Sequence, residues 1–298
     1  MADSVEMQDI RGLDIDKAVK GFALVEYVFK NDCAQSSGTG DQFRWYSETA
    51  ADLTATAPQT NVNISPLSTF PTLEVTWTRN TGYYRKYANE DFISMEDQKS
   101  TDVDVYARTL LRLTRAVIKQ VDTRIFNVLT EYSSATGLPA PTNIQTFATT
   151  AVGGDQWDAP AYAADPFKDI MHARKLIMDY DYDTSNAVLY IDPVAYEALI
   201  TWLVSGKGSS VPQFASEKIQ TGEVMNLGGV RIKVSRNVTT DYAVMFIKNK
   251  SCTWRTHTSI TSRAIEEAGI GTRIRVWELG EAYLTDPKSV VLITDINT

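Results

Sequence analysis

Residues 101–132 read TDVDVYARTLLRLTRAVIKQVDTRIFNVLTEY, an unbroken stretch with neither glycine nor proline. Apolar side chains recur at Val103, Tyr106, Leu110, Leu113, Val117, Val121, Ile125, Val128 and Tyr132. Every step is three or four residues, the period of a helix with one apolar stripe. Thr101 and Asp102 suit the N-terminal cap and the positive end of the helix dipole. Ser133-Ser134 and Gly137-Leu138-Pro139 supply stop signals. At 1.5 Å per residue the predicted helix is about 50 Å long, against a usual length of about three turns. Whatever fold the chain adopts has to provide an apolar surface of matching length.

The other side of this helix carries charge. Arg108, Arg112, Arg115 and Lys119 fall in one row roughly opposite the apolar stripe. Two readings stand side by side for this row. It faces a packaged polyanion, or it is a solvated face paired with acidic groups of neighbouring molecules. Arg124 is the exception, because it falls among the apolar positions and needs a carboxylate or carbonyl partner if buried.

A net charge of −8 argues against a protein that grips nucleic acid over its whole surface, though a local basic row is compatible with it. Cys33 and Cys252 stand far apart, so a disulfide framework is not indicated and both read as structural thiols. Residues 1–10 are acidic and lack the apolar run of a secretory signal, and no run reaches membrane-spanning length. The expectation is a soluble protein made in a cytoplasm.

In chain order, residues 1–40 read as an N-terminal arm, with a short helix over 14–29 interrupted by Gly21. Residues 41–90 read as an extended β-hairpin loop. Phe43-Arg44-Trp45-Tyr46 is strand-like, and Leu73, Val75 and Trp77 alternate with polar residues, as do Tyr83, Arg85 and Tyr87. Between them, residues 54–69 are rich in Thr, Asn, Ser and Pro and cannot build a core of their own. This segment projects onto another molecule, or it is an ordinary β-meander within the domain. After the long helix, residues 133–165 show little periodicity and read as a loop or weak hairpin.

From residue 166 the pattern changes to an α+β block: an amphipathic helix over 167–179, a buried strand over 186–191, a helix over 194–204 opened by Asp192-Pro193, and strands over 224–234 and 243–248. Alternating residues 272–284, a turn at Asp286-Pro287-Lys288 and a return over 289–296 read as a closing β-hairpin whose apolar face suits the long helix. The domain expectation is therefore an arm at 1–40, the extended loop at 41–90, a first peripheral part at 91–165, an inserted axial domain at 166–258 and a second peripheral part at 259–298.

Catalytic equipment is sparse. His172 lies in an amphipathic helix and His257 in a Thr-rich run, and neither has a second ligand at zinc spacing. Gly206-x-Gly208 and Gly269-x-Gly271 lack the surroundings of a dinucleotide fingerprint, and no phosphate-loop lysine or nucleophile elbow occurs. The pairs Glu266-Glu267 and Asp181/Asp183 read as solvated faces. No catalytic, cofactor-binding or metal-binding residue is assigned, and no cofactor is expected.

The order of parts resembles the major capsid protein of tailed double-stranded DNA viruses, with its α+β Hong Kong 97-type capsid fold. Trp45-Tyr46-Ser47-Glu48 and Phe70 to Trp77 look like the limbs of the family's extended loop. Ile93-Ser94-Met95-Glu96-Asp97 looks like the approach to its spine helix, and Asp122-Thr123-Arg124-Ile125-Phe126 like the end of that helix. NAVLYIDPVAYEAL at 186–199 resembles the strand, proline and helix of the axial domain, and LGGVRI at 227–232 its later strand. DPKSVV at 286–291 is similar to the closing turn and strand.

The resemblance implies a bacteriophage-type structural protein that self-assembles as hexamers and pentamers into an icosahedral shell. Packaged double-stranded DNA is then a partner by weak, non-specific contact, and on the polyanion-facing reading the row Arg108, Arg112, Arg115 and Lys119 makes that contact. Trp45, Tyr46, Glu48, Val75, Trp77, Tyr83 and Arg85 lie on the loop that overlies the adjacent subunit. Portal, scaffolding and decoration proteins are further partners the resemblance implies, with a membrane excluded. The expected place is the virion capsid, assembled in the host cytoplasm. An encapsulin-like protein nanocompartment shares the fold and stays open as an alternative. A hydrolase-type enzyme would need converging ionisable groups in a buried pocket. A tail-tube or adhesin protein is disfavoured by the long central helix.

Overall fold

The computed structural model describes residues 27–48, 77–100, 105–152, 154–159, 164–206 and 226–297, with Val19 and Pro66. In chain order the described strands and helices begin with β1 (Ala34–Ser37), β2 (Gln42–Glu48), β3 (Trp77–Tyr83), β4 (Arg85–Ser94), α1 (Met95–Ser100) and α2 (Val105–Leu129). Then come β5 (Tyr132–Ser133), β6 (Leu138–Pro139), β7 (Gln145–Ala148), α3 (Pro166–Met178), β8 (Ala187–Ile191) and α4 (Pro193–Thr201). The chain ends through β9 (Asn226–Leu227), β10 (Val230–Val234), β11 (Tyr242–Ile247), β12 (Cys252–Glu267), β13 (Gly271–Leu284) and β14 (Val290–Thr294). Two compact units result. One comprises Met1–Phe43, Gly82–Val128 and Thr253–Tyr283; the other comprises Arg44–Thr81, Leu129–Cys252 and Leu284–Thr298.

The first unit is a four-stranded sheet, ordered β1-β12-β13-β4, with the long helix α2. β13 pairs antiparallel with β4 over ten residues, from Gly271 opposite Ser94 to Gly280 opposite Arg85. Alternation in β13 buries Thr272, Ile274, Val276 and Glu278 on one side and leaves Arg275 exposed on the other, as a half-buried strand requires. At one end of the helix the Tyr106 hydroxyl meets Thr272 Oγ1 at 2.7 Å; toward the other, Arg124 Nε meets Glu281 Oε1 at 2.7 Å. Helix and strand therefore run side by side in the same direction. The 106–124 interval rises about 27 Å and the 272–281 interval about 30 Å, so their lengths match.

The second unit is built on a six-stranded mixed sheet, ordered β7-β14-β11-β8-β10-β9. Helices α3 and α4 start in the same way. Asp165 and Asp192 turn a carboxylate onto the first free N–H groups, of Lys168 and Val194, and a proline follows each cap. Both helices pack on one face of the sheet. Ile170, Ala173 and Ile177 of α3 and Ala195 and Leu199 of α4 join a single core with Ala187, Leu189 and Ile191 of β8. On the other face Tyr190 stacks on Phe246, with ring centroids 5.5 Å apart. Gly228 and Gly229 take φ of +60° and +79°. They make the two-residue turn that sets Leu227 opposite Val230.

Three expectations are corrected. The helix expected over 101–132 ends at Leu129, and residues 101–104 lie outside the described residues. Glu131 adopts φ +51°, its carboxylate takes the backbone N–H groups of Thr142 and Asn143, and Tyr132 pairs with Pro139 instead of continuing the stripe.

The expected closing hairpin does not exist. β13 lies in the four-stranded sheet, whereas β14 runs between β7 and β11 in the six-stranded one. Val290, Val291, Leu292 and Ile293 are fully buried, which suits a central strand covered on both faces rather than the edge of a hairpin.

The domain limits move accordingly. The changeover falls between Cys252 and Thr253 rather than at 258, and Leu129–Cys252 and Leu284–Thr298 both belong to the second unit. The physical reason is strand pairing: β7, from the stretch read as a loop or weak hairpin, and β14 complete the sheet that β8 and β11 begin.

Gly271 opens β13 where a Cβ would sit 2.2 Å from the carbonyl oxygen of Ile93. Gly271→Ala should force β4 and β13 apart at this end and cost about 1–3 kcal/mol. A drop in the denaturant midpoint at unchanged m-value would measure it; an unchanged midpoint would refute the close approach.

Candidate functional site

Helix α2 separates apolar from basic along its length. Leu110, Leu113, Val117, Val121 and Ile125 of the predicted stripe are buried, and Tyr106 and Val128 are half-buried. Val103 lies outside the described residues. Arg108, Arg112, Arg115 and Lys119 are all exposed. The row spans about 16 Å, so it presents positive charge along one line rather than at a point.

Arg124, the cation among apolar positions, is half-buried and reaches Glu281 on β13. The second oxygen of Glu281 lies 3.0 Å from Arg85 Nε. Glu281 is only 5% exposed, so its two guanidinium partners answer a charge taken out of water. Arg85, expected on the loop that overlies a neighbour, thus has its carboxylate within its own chain.

Of the other loop residues, Tyr46 and Tyr83 are exposed, at 58% and 63%, and Trp45 is half-buried. Glu48 and Trp77 sit on β2 and β3, and Val75 lies outside the described residues. Among the described residues β2 and β3 pair only with each other, which makes them a two-stranded ribbon. The ribbon's root is Phe43, 4% exposed, packed against Tyr84 at 5.1 Å and Tyr283 at 5.5 Å with the Arg255 guanidinium over its ring. The stretch 54–69, expected to project, lies outside the described residues except for Pro66.

A cluster of buried polar groups escaped the sequence reading. Asp122 of α2 is 1% exposed and accepts the backbone N–H groups of Val28 at 2.9 Å and Lys30 at 3.2 Å. Glu278 of β13 is fully buried and receives the Tyr27 hydroxyl on one oxygen and the Lys30 ammonium on the other. The same ammonium lies over the rings of Tyr27 and Trp254. Trp254 is fully buried and fits because Gly280 has no side chain; a Cβ there would lie 2.6 Å from the indole. The segment leaving the N-terminal arm is thereby tied to both helix and strand.

These partners stand 92 to 251 residues apart, beyond the reach of local periodicity. One signal was legible: Glu278 falls in phase with Ile274 and Val276 on the inward side of β13, and an acid in phase with a buried face needs a cation.

Burial dominates the titration of Asp122 and pushes its carboxyl up to about 6, while N–H bonds from Val28, Lys30 and Phe29 restrain the shift. Burial, with the charge of Glu278 added, lifts the Tyr27 phenol above its ordinary range, which keeps it a donor.

Among the described residues no group of three His, Cys, Asp or Glu side chains is placed to hold a metal ion. His172 packs edge-on against Phe147 at 4.7 Å, and burial with Lys175 nearby lowers its pKa. His257 bonds Thr258 and stands edge-on to Tyr84. Cys33 and Cys252 are buried free thiols. No described helix is long and apolar enough to cross a membrane. A cleft of about 670 Å³ is polar and lined by Ser185, Asn226, Arg231, Lys248 and Asn249 among others, with no carboxylate in its wall.

A long helix along a four-stranded sheet, a two-stranded ribbon and an inserted mixed-sheet unit make up a Hong Kong 97-type fold, and solved structures share it. The capsid of cyanophage P-SCSP1u matches with a TM-score of 0.65 at 14% identity, covering 91% of this chain and 89% of that one. A virus-like particle from Pyrococcus furiosus matches at 0.62 and 11%, covering 95% and 99%. The mature capsid of bacteriophage PhiM1 matches at 0.61 and 12%, covering 90% and 87%. Comparison with curated proteins finds no match. The family model for phage capsid protein matches residues 85–293. The chain belongs to the phage capsid protein family and is a major capsid protein, a structural subunit of a shell.

The titration of Asp122 sets a pH test. Its folded pKa lies above the unfolded value, so its contribution is fully present below about pH 4 and falls as pH rises to about 6. The loss amounts to about 3 kcal/mol and is flat beyond. Asp122→Asn removes this dependence. The stability of the variant minus that of the parent should therefore rise between pH 4 and 6; a difference independent of pH would contradict the assignment.

Proposed function

We propose that this major capsid protein assembles as hexamers and pentamers into an icosahedral shell, built in the host cytoplasm, that encloses double-stranded DNA. The carrying observation is the two-sidedness of α2, whose one face is core while its other face exposes Arg108, Arg112, Arg115 and Lys119. On a chain of net charge −8 such a row is a local exception. Four cations in line attract a phosphate backbone weakly and in a salt-dependent way, without reading sequence. That is what an inner wall requires, because packaged DNA has to be retained and later released. The ribbon of β2 and β3, anchored at Phe43 and exposing Tyr46 and Tyr83, suits a contact across to a neighbouring subunit.

Reversing Arg112 and Arg115 together to Glu should leave shell formation intact and lower the DNA retained in particles several-fold, with the deficit shrinking as salt is raised. Full-length genomes packaged at the parental yield would remove the DNA-facing role. Deleting residues 54–69 should leave a folded subunit, by circular dichroism and thermal melting, that forms no closed shells. Shells of normal size in electron micrographs would show that the extended loop is dispensable.

A further inference from the structure

Helix α3 buries Pro166, Asp169, Ile170, Ala173 and Ile177. At 100° per residue, Phe167, Met171 and Met178 fall within about 40° of one another on its outward side. They are 41%, 37% and 44% exposed and form an apolar ridge about 16 Å long. The ridge is backed firmly. A Cβ on Gly228, in the β9–β10 turn, would lie 2.9 Å from Met171 Sδ and 3.4 Å from Phe167 Cε2. Arg174 holds that turn by donating Nη1 to the Gly228 carbonyl at 2.8 Å, and donates Nε to Thr184 Oγ1 at 2.8 Å. Along the edge away from the turn run Lys168 and Lys175, both exposed.

The same sheet face carries a complementary feature. An open cleft of about 360 Å³ is lined by Trp157, Val194, Ala198 and Trp202, with Asp158 and Glu197 exposed at its rim. Its two indoles are fixed: Trp157 Nε1 donates to the buried carboxylate of Asp169 at 2.9 Å, and Trp202 Nε1 to the Ala164 carbonyl at 2.8 Å.

The ridge is apolar with a basic edge; the cleft is apolar with an acidic rim. Opposite charge beside matched apolar surface selects a partner and its register. The ridge lies on the outward side of α3 and the cleft on α4, so each can serve a different neighbour. Between identical copies they make a head-to-tail contact, which closes into a ring when the rotation allows.

We propose that the α3 ridge of one subunit docks into the α4 cleft of a second copy, joining neighbours head to tail within a ring. This rests on the shell-forming reading above.

The test uses the full-length chain, with particles followed by light scattering and electron microscopy. Met171→Glu disables the ridge and Val194→Glu the cleft; both sites are exposed, so each variant should melt like the parent. Each alone should form no rings or shells. Mixed, they should form a 1:1 dimer and nothing larger, because the pair holds one intact ridge and one intact cleft. Glu197→Lys should raise the concentration needed for assembly by about tenfold, and adding Lys175→Glu should bring it back.

If the parent chain forms no particles, the shell reading fails and this contact with it. If the parent and both Glu variants form particles equally well, only the contact is overturned. Two inert variants whose mixture gives no dimer also overturn it.

Discussion

The first unit depends on a helix laid along a strand of the same length. The contacts Tyr106–Thr272 and Arg124–Glu281 mark the two ends of this seam, and the apolar stripe of α2 is buried between them. An isolated amphipathic helix gains little from propensity and most of its stability from the face it buries. A stripe this long needs a straight partner, and a strand of 14 residues paired on both sides supplies it. Because the inner face is so occupied, the outer face of the helix is left to carry charge.

The seam is also pinned by ions. Asp122, Glu278 and Glu281 are three nearly buried carboxylates, and each is met by donors from elsewhere in the sequence. Desolvating such groups costs as much as their pairing returns, or more as at Asp122, so they add little net stability. Their value lies in what they forbid. A shift of helix against strand, or release of the segment from Tyr27 to Lys30, would strand a charge away from water. The unit is thereby held in one register, and the root of the N-terminal arm is held with it.

In the second unit the helices α3 and α4 cover one sheet face and expose apolar side chains on their outer surfaces. An outward apolar ridge is costly on a solitary molecule and useful on a subunit that is never alone. The same logic applies to the β2–β3 ribbon, which pairs with nothing else among the described residues.

Periodicity alone revealed the long helix, its basic row, the capped helices of the second unit and the buried strands around 187–191 and 242–247, because these are local patterns a few residues wide. It also marked Arg124 as needing a carboxylate without saying which one. Local pattern could not decide which sheet each strand joins. β13 and β14 are adjacent in sequence, yet they enter different units, since β13 pairs with β4 and β14 with β7 and β11, all of them distant in the chain. The same distance hid the bonds from Tyr27 and Lys30 to Glu278, and it hid β7, whose four residues become a strand only beside β14. The sequence by itself determined which faces are apolar and which are charged; the tertiary structure decided which faces meet, because burial is a property of the assembled chain and not of any short stretch of it.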